Sequence, residues 1–139
     1  MLTRTLALPP EPASVPQGRR FVRQVLNSWE LPGLADTALL LTSELLTNSV
    51  LHARTPIVLT LRRLPGCVEV TIGDRSTVFP MRRRHGADSA TGRGMDLLER
   101  LATSWEVAGD GMGKVVRFSL SEQADPWAAF TDQDWTEQL

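Results

Sequence analysis

Between Leu34 and Ala53 the apolar residues fall on two stripes at once. Leu34, Ala38, Leu41 and Leu45 follow one line at helical spacing, and Leu39, Leu46 and Val50 follow another. A helix that is apolar on two sides must be buried over most of its circumference. Residues 35–53 are therefore predicted to form the central helix, with apolar cover on each side of it. The chain, at 139 residues, is of single-domain length and can build that core without metals or disulfides; its one cysteine, Cys67, cannot form an internal bridge.

The rest of the chain supplies the cover. Residues 14–29 read as a second helix, with Ser14 as N-cap, Pro16 in the first turn and Phe21, Val22, Val25, Leu26 and Trp29 on one face. Pro32-Gly33 is expected to stop it. Residues 3–8 read as a strand closed by Pro9-Pro10, and residues 57–64 and 68–72 as a hairpin turned at Pro65-Gly66. Residues 77–91 carry Pro80, Gly86 and the run Arg82, Arg83, Arg84, which predicts a long loop of the lid kind. Gly92-Arg93-Gly94 is expected to open a helix over 95–102. A closing hairpin follows, with strands at 105–107 and 114–120 joined by the glycine-rich 108–113. Helices and strands mix without strict βαβ alternation. The fold class is therefore α+β: a two-layer sandwich of about three helices on a mostly antiparallel sheet, spanning residues 1–120. Residues 121–139 form an acidic tail containing Trp127, Phe130 and Trp135.

Net charge is −1, so no basic field gathers nucleic acid and no direct nucleic-acid partner is expected. No apolar run reaches the ~18–20 residues needed to cross a bilayer, and the N-terminus lacks a signal-like stretch. With a single cysteine, these features point to a cytoplasmic protein without a membrane partner.

Five short patterns carry candidate chemistry. Glu44, Asn48 and His52 lie at i, i+4 and i+8, on one side of the central helix with about 40° of drift per step. An amide oxygen there can ligate a hard cation such as Mg²⁺, and a carboxylate one turn away can orient or deprotonate a nucleophile. The same residues also fit a solvated polar stripe. Gly73-Asp74-Arg75-Ser76 follows a strand, where a carboxylate can accept a hydrogen bond from an amino group; a plain turn uses the same residue types. Gly92-Arg93-Gly94 at a helix start can bring unpaired backbone N–H groups to a phosphate, or serve as a hinge. Gly113-Lys114 leads into the last strand, as in many hairpins. The lid arginines suit phosphate oxygens, an acidic partner or a solvated patch.

It is the order of these patterns along the chain that is specific. The sequence resembles the histidine-kinase-like ATPase superfamily, and within it the anti-sigma-factor serine kinases. "LTSELLTNSVLHA" resembles their first ATP box and "VTIGDRS" the second, while "TGRGMDLLERLATSWEV" with "GKVVRFSL" resembles the third and the closing hairpin. The resemblance implies Asn48 as Mg²⁺ ligand, Glu44 as catalytic base and Asp74 as the carboxylate that reads adenine. It places Ser76, Gly92, Arg93, Gly94 and Met95 around the nucleotide, with the two glycines at the phosphates. His52 falls where the family often has histidine, and a structural role such as a helix-end hydrogen bond is expected of it. Val115 stands where many relatives carry threonine, and Ser76 where distant ones carry glycine.

The resemblance implies the cofactors ATP and Mg²⁺ and a protein serine/threonine kinase. Its substrate would be an anti-anti-sigma protein of the STAS type, and its second partner a sigma factor held by sequestration. Close relatives often dimerise, which makes a homodimer the candidate assembly. A different class of function is a protein-binding module without kinase activity, which uses ATP only to shape a partner-holding surface or takes no nucleotide at all. A sensor histidine kinase fragment is disfavoured, since the stretch before Ala35 contains no histidine to accept a phosphoryl group.

Overall fold

The computed structural model describes residues 2–75, 90–109 and 112–122. Its strands are β1 (Leu2–Leu8), β2 (Ile57–Leu64), β3 (Cys67–Asp74), β4 (Ser104–Gly109) and β5 (Lys114–Ser121). Its helices are α1 (Ser14–Ser28), α2 (Ala35–Asn48) and α3 (Ala90–Leu101), with a short 3₁₀ turn over Pro32–Leu34. The sheet order is β1-β2-β3-β5-β4, and every neighbouring pair is antiparallel. This is the expected α+β sandwich. Of the loop expected over 77–91, residues 77–89 lie outside the described residues, as do Ser76 and the tail beyond Glu122, while Ala90 and Thr91 already belong to α3.

Alternation along the strands decides which face the helices cover. Ile57, Leu59 and Leu61 on β2, Val68, Val70 and Ile72 on β3, and Val116, Phe118 and Leu120 on β5 are all buried, while the residues between them are not. Onto that face pack both apolar stripes of α2, with Leu41, Leu45 and Leu46 buried, and Val22, Val25 and Leu26 of α1. Gly18 is where α1 meets α2 most closely: a Cβ there would overlap Leu46 Cδ1. The opposite face is kept wet by ion pairs. Arg62 meets Glu69 at 3.3 Å, Glu69 meets Arg117 at 3.8 Å, and Arg117 meets Glu106 at 3.1 Å, a chain of alternating charge across β2, β3, β5 and β4.

Three local expectations are corrected. Ser14 does not cap α1. The cap position is Ala13, already in helical conformation, and Ser14 is the first helical residue. The turn through Pro9-Pro10 coils before the helix begins, with Ser14 N donating to Glu11 O at 2.9 Å. The Ser14 hydroxyl instead donates to Pro9 O at 2.5 Å. Pro32-Gly33 does not end α1 either. The helix closes three residues earlier in a Schellman arrangement, with Leu31 N on Leu26 O at 2.9 Å and Glu30 N on Asn27 O at 3.0 Å. Pro32 then begins the 3₁₀ turn. Finally, α3 starts at Ala90 rather than near Met95, so Gly92-Arg93-Gly94 lies within the helix. Glycine's propensity cost of about 1 kcal/mol is small beside the packing of the helix's apolar face, which buries Leu98 and Leu101.

The Schellman turn places Glu30 at φ 60°, a left-handed conformation that glycine adopts without strain. Glu30→Gly should raise stability by about 0.5–1 kcal/mol, the relief of left-handed strain less the extra chain entropy of glycine. Urea unfolding checks this: the midpoint should rise at unchanged slope.

Candidate functional site

The candidate site forms where the C-terminal end of α2 reaches the sheet. After Asn48 the helix does not stop; it widens into one π turn over Ser49–Ala53 and ends at Arg54, which is left-handed with φ 56°. Single π turns are frequent at functional sites because they re-aim the residues that follow. Here the turn brings Ser49 to the end of β3 and carries Thr55 to the residue after it. Ser49 Oγ donates to Asp74 Oδ2 at 3.1 Å, and Arg75 N donates to Thr55 Oγ1 at 2.9 Å.

Asp74 is the hub. Antiparallel pairing of β3 with β5 sets Asp74 directly opposite Lys114. The lysine Nζ donates to Oδ2 at 3.0 Å and to Oδ1 at 3.3 Å. Only 1% of the Asp74 side chain and 7% of the Lys114 side chain is exposed. Two charges so far from water are held by each other and by the Ser49 hydroxyl; removing one partner of such a pair typically costs about 3–5 kcal/mol. Gly113 completes the hub. A Cβ on it would overlap the Asp74 carbonyl oxygen, so only glycine lets β5 begin this close to the end of β3.

The other sequence candidates arrange around this hub. Asn48 precedes Ser49 and is 7% exposed. Its Oδ1 and Nδ2 are both out of solvent, and neither has a hydrogen-bond partner among the described residues. A buried amide left unpaired costs about 1–3 kcal/mol, which makes Asn48 a candidate for holding a ligand. The hydroxyls of Thr37, Thr42 and Ser43 are unpaired too, but a helix hydroxyl can turn to a carbonyl one turn back. Glu44 is half-buried one turn before Asn48. His52 leaves the line: it is exposed, and among the described residues no hydrogen bond reaches it, so the expected helix-end bond is not made. The helix end is satisfied by backbone instead, with Arg54 N donating to Ser49 O at 3.3 Å. In a helix that begins at Ala90, the last first-turn amide without an intrahelical carbonyl is that of Gly92; Arg93, Gly94 and Met95 follow it in α3.

A cavity of about 580 Å³ opens at the same end of the sheet, with Asp74, Gly113 and Lys114 in its lining. It lies on the open side, however. Its other walls include Val58, Gly73 and Val115, the residues that alternate away from the helices, and neither Glu44 nor Asn48 borders it. This cavity is therefore not a space between α2 and the residues expected to form the lid, whose positions 77–89 lie outside the described residues. Among the described residues no cluster of three His, Cys, Asp or Glu side chains could hold a metal, and no helix is long and apolar enough to cross a membrane.

The sequence singles out Glu44, Asn48 and Asp74 but not Ser49, and it offers Lys114 only as a hairpin residue. A signal for Lys114 was present. It occupies the same face of β5 as Val116, Phe118 and Leu120, and a lysine on a buried face needs a carboxylate.

Ser49→Ala removes one hydrogen bond to a buried carboxylate and should cost about 1.5–3 kcal/mol. Gly113→Ala, which forces backbone apart, should cost more. Chemical denaturation of both variants checks the order; a neutral Gly113→Ala would mean that the β5 start can move aside.

Residues 8–120 match the model of the histidine kinase-like ATPase domain. Among solved structures, the fold is similar to the histidine kinase domain from the blue-light-activated histidine kinase of Erythrobacter litoralis EL346, at 21% identity and a TM-score of 0.54. That similarity covers 68% of this chain and 48% of the other, so the chain spans about half of its length. At this identity the likeness concerns the fold alone. No curated protein matches the sequence.

Proposed function

The chain belongs to the histidine kinase-like ATPase domain family, and on that premise we propose that it is an MgATP-dependent protein serine/threonine kinase of the anti-sigma-factor type. In this reading it phosphorylates a STAS-type anti-anti-sigma protein and sequesters a sigma factor. The observation that carries the reading is the buried amide of Asn48, unpaired among the described residues, one helical turn from Glu44 and adjacent to the serine that touches Asp74.

The residues fit the groups such a kinase takes. Asn48 Oδ1 is an oxygen ligand of the kind Mg²⁺ prefers, and an ion that keeps its waters and phosphate oxygens needs only one or two protein ligands. Bound Mg²⁺ would neutralise charge on the transferring phosphoryl group. Asp74 supplies an acceptor, fixed by Ser49 and Lys114, for the exocyclic amine of adenine. The amides opening α3, through Gly92, offer donors and partial positive charge to phosphate oxygens. Glu44 would accept the proton of the partner's serine hydroxyl as its oxygen attacks the γ-phosphorus and ADP leaves. Positioning and charge neutralisation do most of the work in phosphoryl transfer, so this short list of residues suffices.

Calorimetric titration with MgATP is the first test. Wild type should bind, and Asn48→Ala and Asp74→Asn should each weaken binding by about tenfold or more, the loss of one charge-assisted contact. Absence of binding by folded wild type would overturn the reading. Glu44→Gln should keep MgATP affinity but lose at least about a hundredfold in transfer of labelled γ-phosphate to a STAS partner. Nucleotide binding by wild type without any transfer would instead make the protein a nucleotide-shaped binding module.

A further inference from the structure

Lys114 has more hydrogen-bonding capacity than its contact with Asp74 uses. Lys114 carries three N–H donors on its ammonium. Two of them at most are taken by Asp74 Oδ1 and Oδ2, at 3.3 and 3.0 Å. Among the described residues nothing else accepts from Nζ, and with 7% of the side chain exposed little water can. A buried donor of this kind is costly unless something arrives to accept it.

The pair is also fixed in place. Asp74 and Lys114 stand opposite each other in the β3–β5 register, Ser49 holds one carboxylate oxygen, and Gly113 locks the two strand ends at close approach. The result is an acceptor and a donor about one hydrogen-bond length apart on two adjoining strands. The pairing edge of adenine carries the complementary arrangement, a donating exocyclic amine next to the accepting ring nitrogen N1. A preorganised donor–acceptor pair gains specificity because its ordering cost has been met in folding.

We infer that Lys114 is a second base-reading residue, whose ammonium donates to ring nitrogen N1 of the nucleobase while Asp74 accepts from the neighbouring amine. The inference rests on the proposal that an adenine nucleotide binds at Asp74, and extends it to a specificity-determining residue. It assigns the buried lysine a role in telling one base from another, beyond bracing the sheet. A lysine that only braced the strands would affect every nucleotide alike.

Two nucleotides that differ at one atom test this: ATP, and 1-deaza-ATP, in which N1 is replaced by C–H. Titrated with magnesium into wild-type protein, 1-deaza-ATP should bind at least about tenfold more weakly than ATP, because the lysine donor would face a C–H. Lys114→Met, with its fold verified by circular dichroism, should bind the two within about threefold of each other. Equal affinity of wild type for both nucleotides, alongside firm ATP binding, would overturn the role of Lys114 and leave the kinase proposal standing. The role would fall equally if Lys114→Met weakened both ligands but kept the wild-type ratio. Should Lys114→Met fail to fold, the wild-type ratio decides alone. No uptake of ATP by wild type would overturn the proposed function and this inference together.

Discussion

One buried charge pair sets the geometry of the functional end of this molecule. Asp74 and Lys114 come from strands that neighbour in space but not in sequence, and the carboxylate also takes a hydrogen bond from the turn that ends α2. Three elements are thereby held at one point. Without the pair, the end of β3, the start of β5 and the π turn would share little besides backbone contacts at their margins. Buried ion pairs are indifferent sources of stability when compared with apolar replacements, so the presence of this one argues for a positional task. It keeps a carboxylate and an ammonium in fixed relation beside an unsatisfied amide.

Fold and site were legible in the sequence to different degrees, for different physical reasons. The strands of the two hairpins announced themselves through alternation and through Pro65-Gly66, where Gly66 has φ 80°. The central helix was legible because two stripes of leucine leave no other burial scheme. What escaped were features decided by tertiary contact. Nothing in Ser49–Ala53 marks a change from α to π winding; the change is stabilised by Ser49 and Thr55 finding partners on and after β3. The Asp74–Lys114 contact spans 40 residues and exists only because β5 pairs with β3 while β4 takes the edge. Ser14 was misread because capping propensity is a local rule, and the turn before it had already supplied the helix with its entry.

The membership of the family and the architecture together explain why so little of the chain is devoted to chemistry. The inward faces of α1 and β2 and the end of β1 serve to bury leucine, isoleucine and valine. The candidate residues gather in the last turn of α2, at the two strand ends and in the first turns of α3. The groups are of three types: an acid and an amide on α2, a carboxylate–ammonium pair where β3 ends and β5 begins, and backbone donors opening α3.

The ladder of ions on the far side of the sheet bears on how such a domain meets other proteins. Arg62, Glu69, Arg117 and Glu106 cancel one another in charge and pair in succession along the ladder. An approaching macromolecule would feel no net field there and would have to dehydrate four ions to settle on it, with no new pairing to offset the loss. The ladder itself therefore offers an incoming surface little net charge to grip.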